Sequence, residues 1–219
     1  MKNRTLCSLL LALAVAAPAA ATGAPGAPHL RHSKADTSLA TSTLLNKSTL
    51  GSGWVVASHS TSGQVVCDNA ATPNESDLTE TGGASGPLFT RPEQAIAQST
   101  HVFATSAQAA TAWARMMPPK LVICMEQEVE NLSAMSAPVY VTAWYRLRFA
   151  PLATRVAGYR VVARATTTKK TKETVYLDVL LLGHDRTMTT LILSALKAPF
   201  SNGFEQGLAR TLAAQLTKG

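Results

Sequence analysis

Four arginines, Arg146, Arg148, Arg160 and Arg164, stand close in sequence to Tyr140 and Trp144. Guanidinium groups beside aromatic rings suit carboxylates, phosphates and sugar acids, because a planar fork of donors matches an anion while the ring takes the apolar face of a ligand. Residues two or four apart along neighbouring strands face the same way, so these side chains could share one sheet face. Tyr140, Trp144, Arg146, Arg148, Arg160 and Arg164 are therefore the expected ligand-binding set. The plain alternative is the solvated outer face of a basic protein. Asp178 is the one acid within the strand-like run Val175–Leu182. An unpaired buried carboxylate is costly, so Asp178 is expected to pair with one of the arginines.

Other chemistry is harder to assemble. There is no phosphate-binding glycine loop, no nucleophile elbow and no zinc-protease motif. His29 and His32 have helical ligand spacing but fall in a tether-like stretch, so no metal site is expected and no cofactor is implied. His59, His101 and His184 are isolated in sequence, and Asp185 beside His184 is explained by turn chemistry. A hydrolase built on His101 or His184 with an Asp partner is the enzymatic alternative to a non-enzymatic binding protein. The lysines around Lys169–Lys172 either solubilise a hairpin tip or touch anionic envelope polymers.

The start of the chain decides the compartment. Lys2 and Arg4 precede the apolar run Leu9–Ala17, Pro18 breaks it, and Ala19-Ala20-Ala21 offers a signal-peptidase site. That run is about half of the ~20 residues needed to cross a bilayer. Cys7 precedes it and so is not placed for lipid attachment. Loss of the leader leaves Cys67 and Cys124, one possible intramolecular pair in an oxidising compartment. Such a bridge would contribute roughly 4 kcal/mol. The rival reading, two reactive thiols, lacks C-x-x-C spacing.

The 219 residues carry a formal charge of +7, from 20 Lys and Arg against 13 Asp and Glu, with 46% hydrophobic residues. Mean hydropathy is +0.09. This composition excludes a disordered or fibrous chain. Nucleic-acid binding is not expected either, because the cations are scattered and the chain is exported.

The elements that must position the arginines follow from periodicity. Residues 22–38, rich in Ala, Pro, Gly and His, read as a flexible linker, and residues 39–219 as one domain. Leu39–Leu50 reads as a short helix, and 68–86 as a polar loop able to dock another secreted protein. Gln94–Phe103 is a strand candidate. Thr105 and Gln108 sit at capping-box spacing ahead of a helix carrying Ala109, Trp113 and Met117, and a second helix carries Cys124 on its apolar stripe. From Val139 to Phe149 apolar residues alternate with Tyr140, Thr142, Trp144, Arg146 and Arg148, which predicts one long half-buried strand. Gly158–Thr168, Thr174–Gly183 and Thr187–Ala195 complete a four-stranded antiparallel meander. Asn202 and Glu205 then open an amphipathic helix with Phe204, Leu208, Leu212 and Leu216 on one face. The fold class is α+β: an antiparallel sheet packed against two or three helices, the last of them C-terminal.

Several residues together carry a family resemblance: Gly53-Trp54 after a short helix, Cys67, Val102-Phe103 before an Ala-rich helix, Cys124, Tyr176-Leu177-Asp178, the turn Gly183–Arg186 and a terminal helix. In this layout the chain resembles exported actinobacterial proteins similar to the extracytoplasmic sensor domain of PknH-type receptor kinases, over roughly Leu44 to Leu216. The resemblance implies a PsbP-like α+β domain with a cleft for an envelope ligand. Such sensor domains carry two disulfides where this chain has cysteines for one, and the resemblance brings no catalytic residues. The expectation is a secreted or periplasmic, monomeric, sensor-like domain with no transmembrane segment after cleavage. Its partner would be an anionic or glycan-like envelope ligand or another secreted protein.

Overall fold

The computed structural model describes residues 26–31, 33–57, 74–117, 139–166 and 171–218. The expected leader, Cys67 and Cys124, and with Cys124 the helix expected to carry it, lie outside the described residues, as do His32, His59, Lys169 and Lys170.

In chain order the elements are β1 (His29–Leu30), α1 (Lys34–Ser42), α2 (Lys47–Leu50), β2 (Val55–Ala57), β3 (Thr79–Ser85), β4 (Leu88–Arg91), β5 (Gln94–Phe103), α3 (Ser106–Met116), β6 (Val139–Leu147), β7 (Arg155–Thr166), β8 (Lys172–His184), β9 (Thr187–Leu196) and α4 (Asn202–Leu216). The fold is α+β, as expected. The described strands form one nine-stranded sheet in the order β1-β3-β5-β9-β8-β7-β6, with β4 on β5 and β2 on β4. β6 to β9 are sequential neighbours, each antiparallel to the next. Through β9 they join β5, whose far edge is shared by β4 at Gln94–Ile96 and β3 at Ser99–Phe103.

Both faces of the sheet are covered. On one, Val161, Ala163, Val175, Leu177, Val179 and Ile192 pack with Trp113 and Met116 of α3. On the other, Leu180, Leu182, Leu191 and Leu193 meet Leu208, Leu212 and Leu216 of α4. Every residue of β9 is buried, so its Thr187, Thr189, Thr190 and Ser194 are enclosed together with its apolar side chains, as expected of a strand covered on both faces.

Four local readings are corrected. The stretch expected as a linker supplies β1 and the first turns of α1, because Ser33 caps α1 by accepting from the Asp36 N–H. The helix expected over Leu39–Leu50 is two, interrupted where Thr43 and Leu45 turn in to a buried polar network. There Gln98 accepts from the Leu45 N–H at 2.7 Å and donates to the Thr43 carbonyl at 2.9 Å and to Thr189 Oγ1 at 3.0 Å. Much of the expected 68–86 loop is strand β3 instead. Its Gly82 is required, since a Cβ there would run into the α1 backbone at Asp36 and Thr37. Finally, Ser201 rather than Asn202 caps α4, and Glu205 turns into the interior.

Candidate ligand-binding face

β6 is the last strand of the sheet among the described residues, and it carries Tyr140, Trp144 and Arg146 of the expected ligand-binding set, with Arg148 just beyond it and Arg160 and Arg164 on the neighbouring β7. The alternation of β6 does not run unbroken. The register pairs Tyr140 with Arg164 and Val141 with Ala163, then slips so that Ala143 pairs with Val162, Trp144 with Val161, Tyr145 with Arg160 and Arg146 with Tyr159. Thr142 is the extra residue of this bulge, and its hydroxyl donates to the Val162 carbonyl at 3.0 Å. A bulge places two residues against one and reverses which face later side chains take.

The expected single face is therefore corrected to two. Tyr140, Arg164 and Tyr145 lie on the α4 side of the sheet, and Trp144 and Arg146 on the α3 side. Tyr140 is 46% exposed, Trp144 48% and Tyr145 44%. Arg146, Arg148 and Arg164 are also exposed. Arg148 follows the strand, and its carbonyl accepts from Gln206 of α4 at 2.7 Å, which ties this end of β6 to the terminal helix. Tyr145, counted on the inner face by periodicity alone, joins the exposed aromatics. No local signal marks Thr142 as a bulge, so sequence reasoning had no means of finding Tyr145.

Arg160 stands apart from this surface. It is 8% exposed, with Asp178 and Glu205 also buried. Its Nε and Nη2 donate to the two Asp178 carboxylate oxygens at 2.5 and 2.8 Å, and Nη2 also donates to Glu205 Oε1 at 2.5 Å. The expected partner of Asp178 is thus Arg160, which faces it directly across β7 and β8. Burial opposes the Arg160 cation, but hydrogen bonding to Asp178 and the charges of Asp178 and Glu205 hold it well above the ordinary guanidinium range. Burial, then the hydrogen bond to Asp178 and its charge, push Glu205 up to about 8 against the pull of Arg160. A guanidinium buried and committed to two carboxylates in this way is a structural cation rather than part of the exposed surface. Its work is to fasten α4 to the sheet, through Asp178 of β8 and Glu205 of α4.

The histidines of the enzymatic alternative are placed as follows. His184 Nδ1 lies 3.0 Å from Thr154 Oγ1 in the β8–β9 hairpin. His101 Nδ1 lies 3.1 Å from Glu80 Oε1, and its Nε2 is buried without a hydrogen-bond partner among the described residues. Among the described residues no group of three His, Cys, Asp or Glu side chains is arranged to hold a metal ion. No described helix is long and apolar enough to cross a membrane.

No protein-family model and no curated protein matches this chain. Among solved structures, the extracellular domain of PknH from Mycobacterium tuberculosis is similar, with 10% identity and a TM-score of 0.45 over 84% of this chain and 97% of that one. An uncharacterised Mycobacterium smegmatis protein, an Rv0999 ortholog, is similar with 14% identity and a TM-score of 0.41 over 83% of this chain and 97% of that one. Likenesses at these values carry no inference from either protein to the ligand of this chain.

Proposed function

We propose that this chain is an exported, non-enzymatic binding domain that takes an anionic or glycan-like ligand along β6. The observation that carries the reading is the clustering of exposed aromatics. Of the five large hydrophobic side chains exposed among the described residues, three, Tyr140, Trp144 and Tyr145, belong to this one strand. Scattered exposed apolar residues need no explanation, but three amphipathic rings interleaved with Arg146 and flanked by Arg148 and Arg164 do. Rings stack on the apolar faces of sugars, and unpaired guanidinium groups fork onto carboxylates, so an acidic saccharide satisfies both halves of the surface.

The bulge at Thr142 gives this surface a particular shape. Trp144 with Arg146, and Tyr140 with Arg164, present two aromatic–cation pairs on opposite sides of the strand, a geometry suited to a ligand that wraps the sheet margin. The test is calorimetric titration with an oligogalacturonate and with a neutral maltooligosaccharide. The Trp144→Ala/Arg146→Ala double variant should bind the acidic oligosaccharide at least tenfold more weakly than the parent, with an unchanged melting temperature. Equal binding by parent and variant, or no heat from the parent with either sugar, would overturn the assignment.

A further inference from the structure

The second polar cluster lies at the opposite end of the sheet, where the N-terminal strand docks. β1 is parallel to β3 and hangs on it through backbone bonds: His29 N–H to the Leu78 carbonyl at 2.9 Å, Arg31 N–H to Glu80 at 2.8 Å and Ser33 N–H to Thr81 at 2.7 Å. The segment before β3 is tied in as well, the Glu75 N–H donating to the Gly26 carbonyl at 2.6 Å. The hold of β3 on β5 therefore decides whether residues 26–33 have a docking edge.

That hold includes an ion pair. His101 of β5 faces Gly83 of β3 on one side and Met188 of β9 on the other, on the sheet face covered by Ala109 and Ala112 of α3. Its Nδ1 is 3.1 Å from Oε1 of Glu80, a residue only 5% exposed. Gly83 makes the pairing possible, because a Cβ at that position would collide with the Glu80 carboxylate. The charged groups acting on the imidazole are Glu80 from β3 and Glu75 from the segment before it; Asp77 of that segment and Arg115 of α3 act on Glu75, and β9 places Met188 opposite His101. Arg115 is committed to Asp77, at 2.5 and 2.7 Å, and to the Asn74 carbonyl at 2.6 Å. Protonated His101 is thus the cation left to balance Glu80 and Glu75.

We infer that His101 is a proton-operated latch for the N-terminal segment: the imidazolium clamped on Glu80 keeps β3 seated and β1 docked, and loss of the proton on Nε2, which leaves only a neutral Nδ1–H bond to Glu80, loosens residues 26–33 from the sheet edge. Burial disfavours the imidazolium, yet hydrogen bonding to Glu80 and the charges of Glu80 and Glu75 outweigh it and lift its pKa above the usual 6.5. The sign follows. A raised folded-state value means that the stabilisation is complete below pH 6.5 and is lost as pH climbs through the folded-state value. The loss is about tenfold in the docking equilibrium for each unit by which that value exceeds 6.5.

The experiment pairs two measurements on the purified chain between pH 5.5 and 9. The imidazole of His101 is titrated by carbon-detected NMR, and amide-exchange protection factors are followed at Arg31, Ser33 and the β3 amides. Protection should fall with the midpoint of the His101 titration while β7 and β8 stay protected, and His101→Gln should abolish the pH dependence. Protection that is flat with pH, or that falls with a midpoint unlike that of His101, would overturn the latch. Should His101→Gln fail to fold, the comparison of midpoints in the parent protein decides the question alone.

Discussion

The Arg160–Asp178–Glu205 cluster makes a quantitative demand. Three ionisable groups are sealed under α4, with Asp178 fully buried and Glu205 2% exposed. Their charges balance only when the two carboxyl groups share one proton opposite the single guanidinium. Glu205, with a value near 8 against an ordinary 4.5, holds that proton at neutral pH. Its raised value stabilises the fold fully below pH 4.5, and the stabilisation drains away as pH rises through about 8. Linkage with these two values gives a loss of roughly 1 kcal/mol between pH 7 and 9, and of roughly 4 kcal/mol between pH 5 and 9. Glu205→Gln mimics the protonated form and should remove most of this slope, at a cost at pH 7 of no more than about 1 kcal/mol. Arg160→Met leaves Asp178 buried without its cation and should cost about 3–5 kcal/mol. Urea unfolding of parent and variants at pH 5, 7 and 9 reads both numbers. A Glu205→Gln chain with the parent's pH slope, or an Arg160→Met chain within 1 kcal/mol of the parent at pH 7, would refute the charge balance just described.

Two further substitutions test the packing. Gly82→Ala drives a methyl group into the backbone of α1 and should destabilise by about 1–3 kcal/mol or more, read as a lowered urea midpoint. Gln98→Leu strands the Leu45 N–H and the Thr43 carbonyl, both bonded to Gln98, and should cost about 1–3 kcal/mol. Exchange of the Leu45 amide should then quicken before any other in the α1–α2 region; unchanged exchange there would remove Gln98 from its assigned role.

Sequence periodicity revealed the large elements and missed what depends on neighbours. β8 and β9 announce themselves through the stretches Val179–Leu182 and Leu191–Leu193, in which neighbours pointing to opposite faces are both apolar, as a doubly covered strand allows. The pairing of Asp178 with an arginine was equally legible, since one acid amid apolar residues has to find a cation. The bulge at Thr142 was not, because an inserted residue leaves no mark in an apolar–polar alternation. It moved Tyr145 outward and divided the aromatic–arginine set between two faces. Docking of β1 was hidden for a related reason: His29 and Leu30 belong to a stretch with linker composition and are ordered by an edge that β3 supplies. β3 in turn looked like loop because Gly82 and Gly83 weaken strand propensity, although both glycines are there for close approach, one to α1 and one to the Glu80 carboxylate.

The central claim is that β6 is the surface this domain uses. Amide and indole chemical shifts, followed while an oligogalacturonate is titrated into the labelled protein, test it most directly. Progressive shifts are expected at Tyr140, Trp144, Tyr145, Arg146 and Arg164, with the Trp54 indole, 1% exposed within the core, unmoved. Shifts confined to other strands, with the Trp144 indole unchanged at saturation, would contradict it.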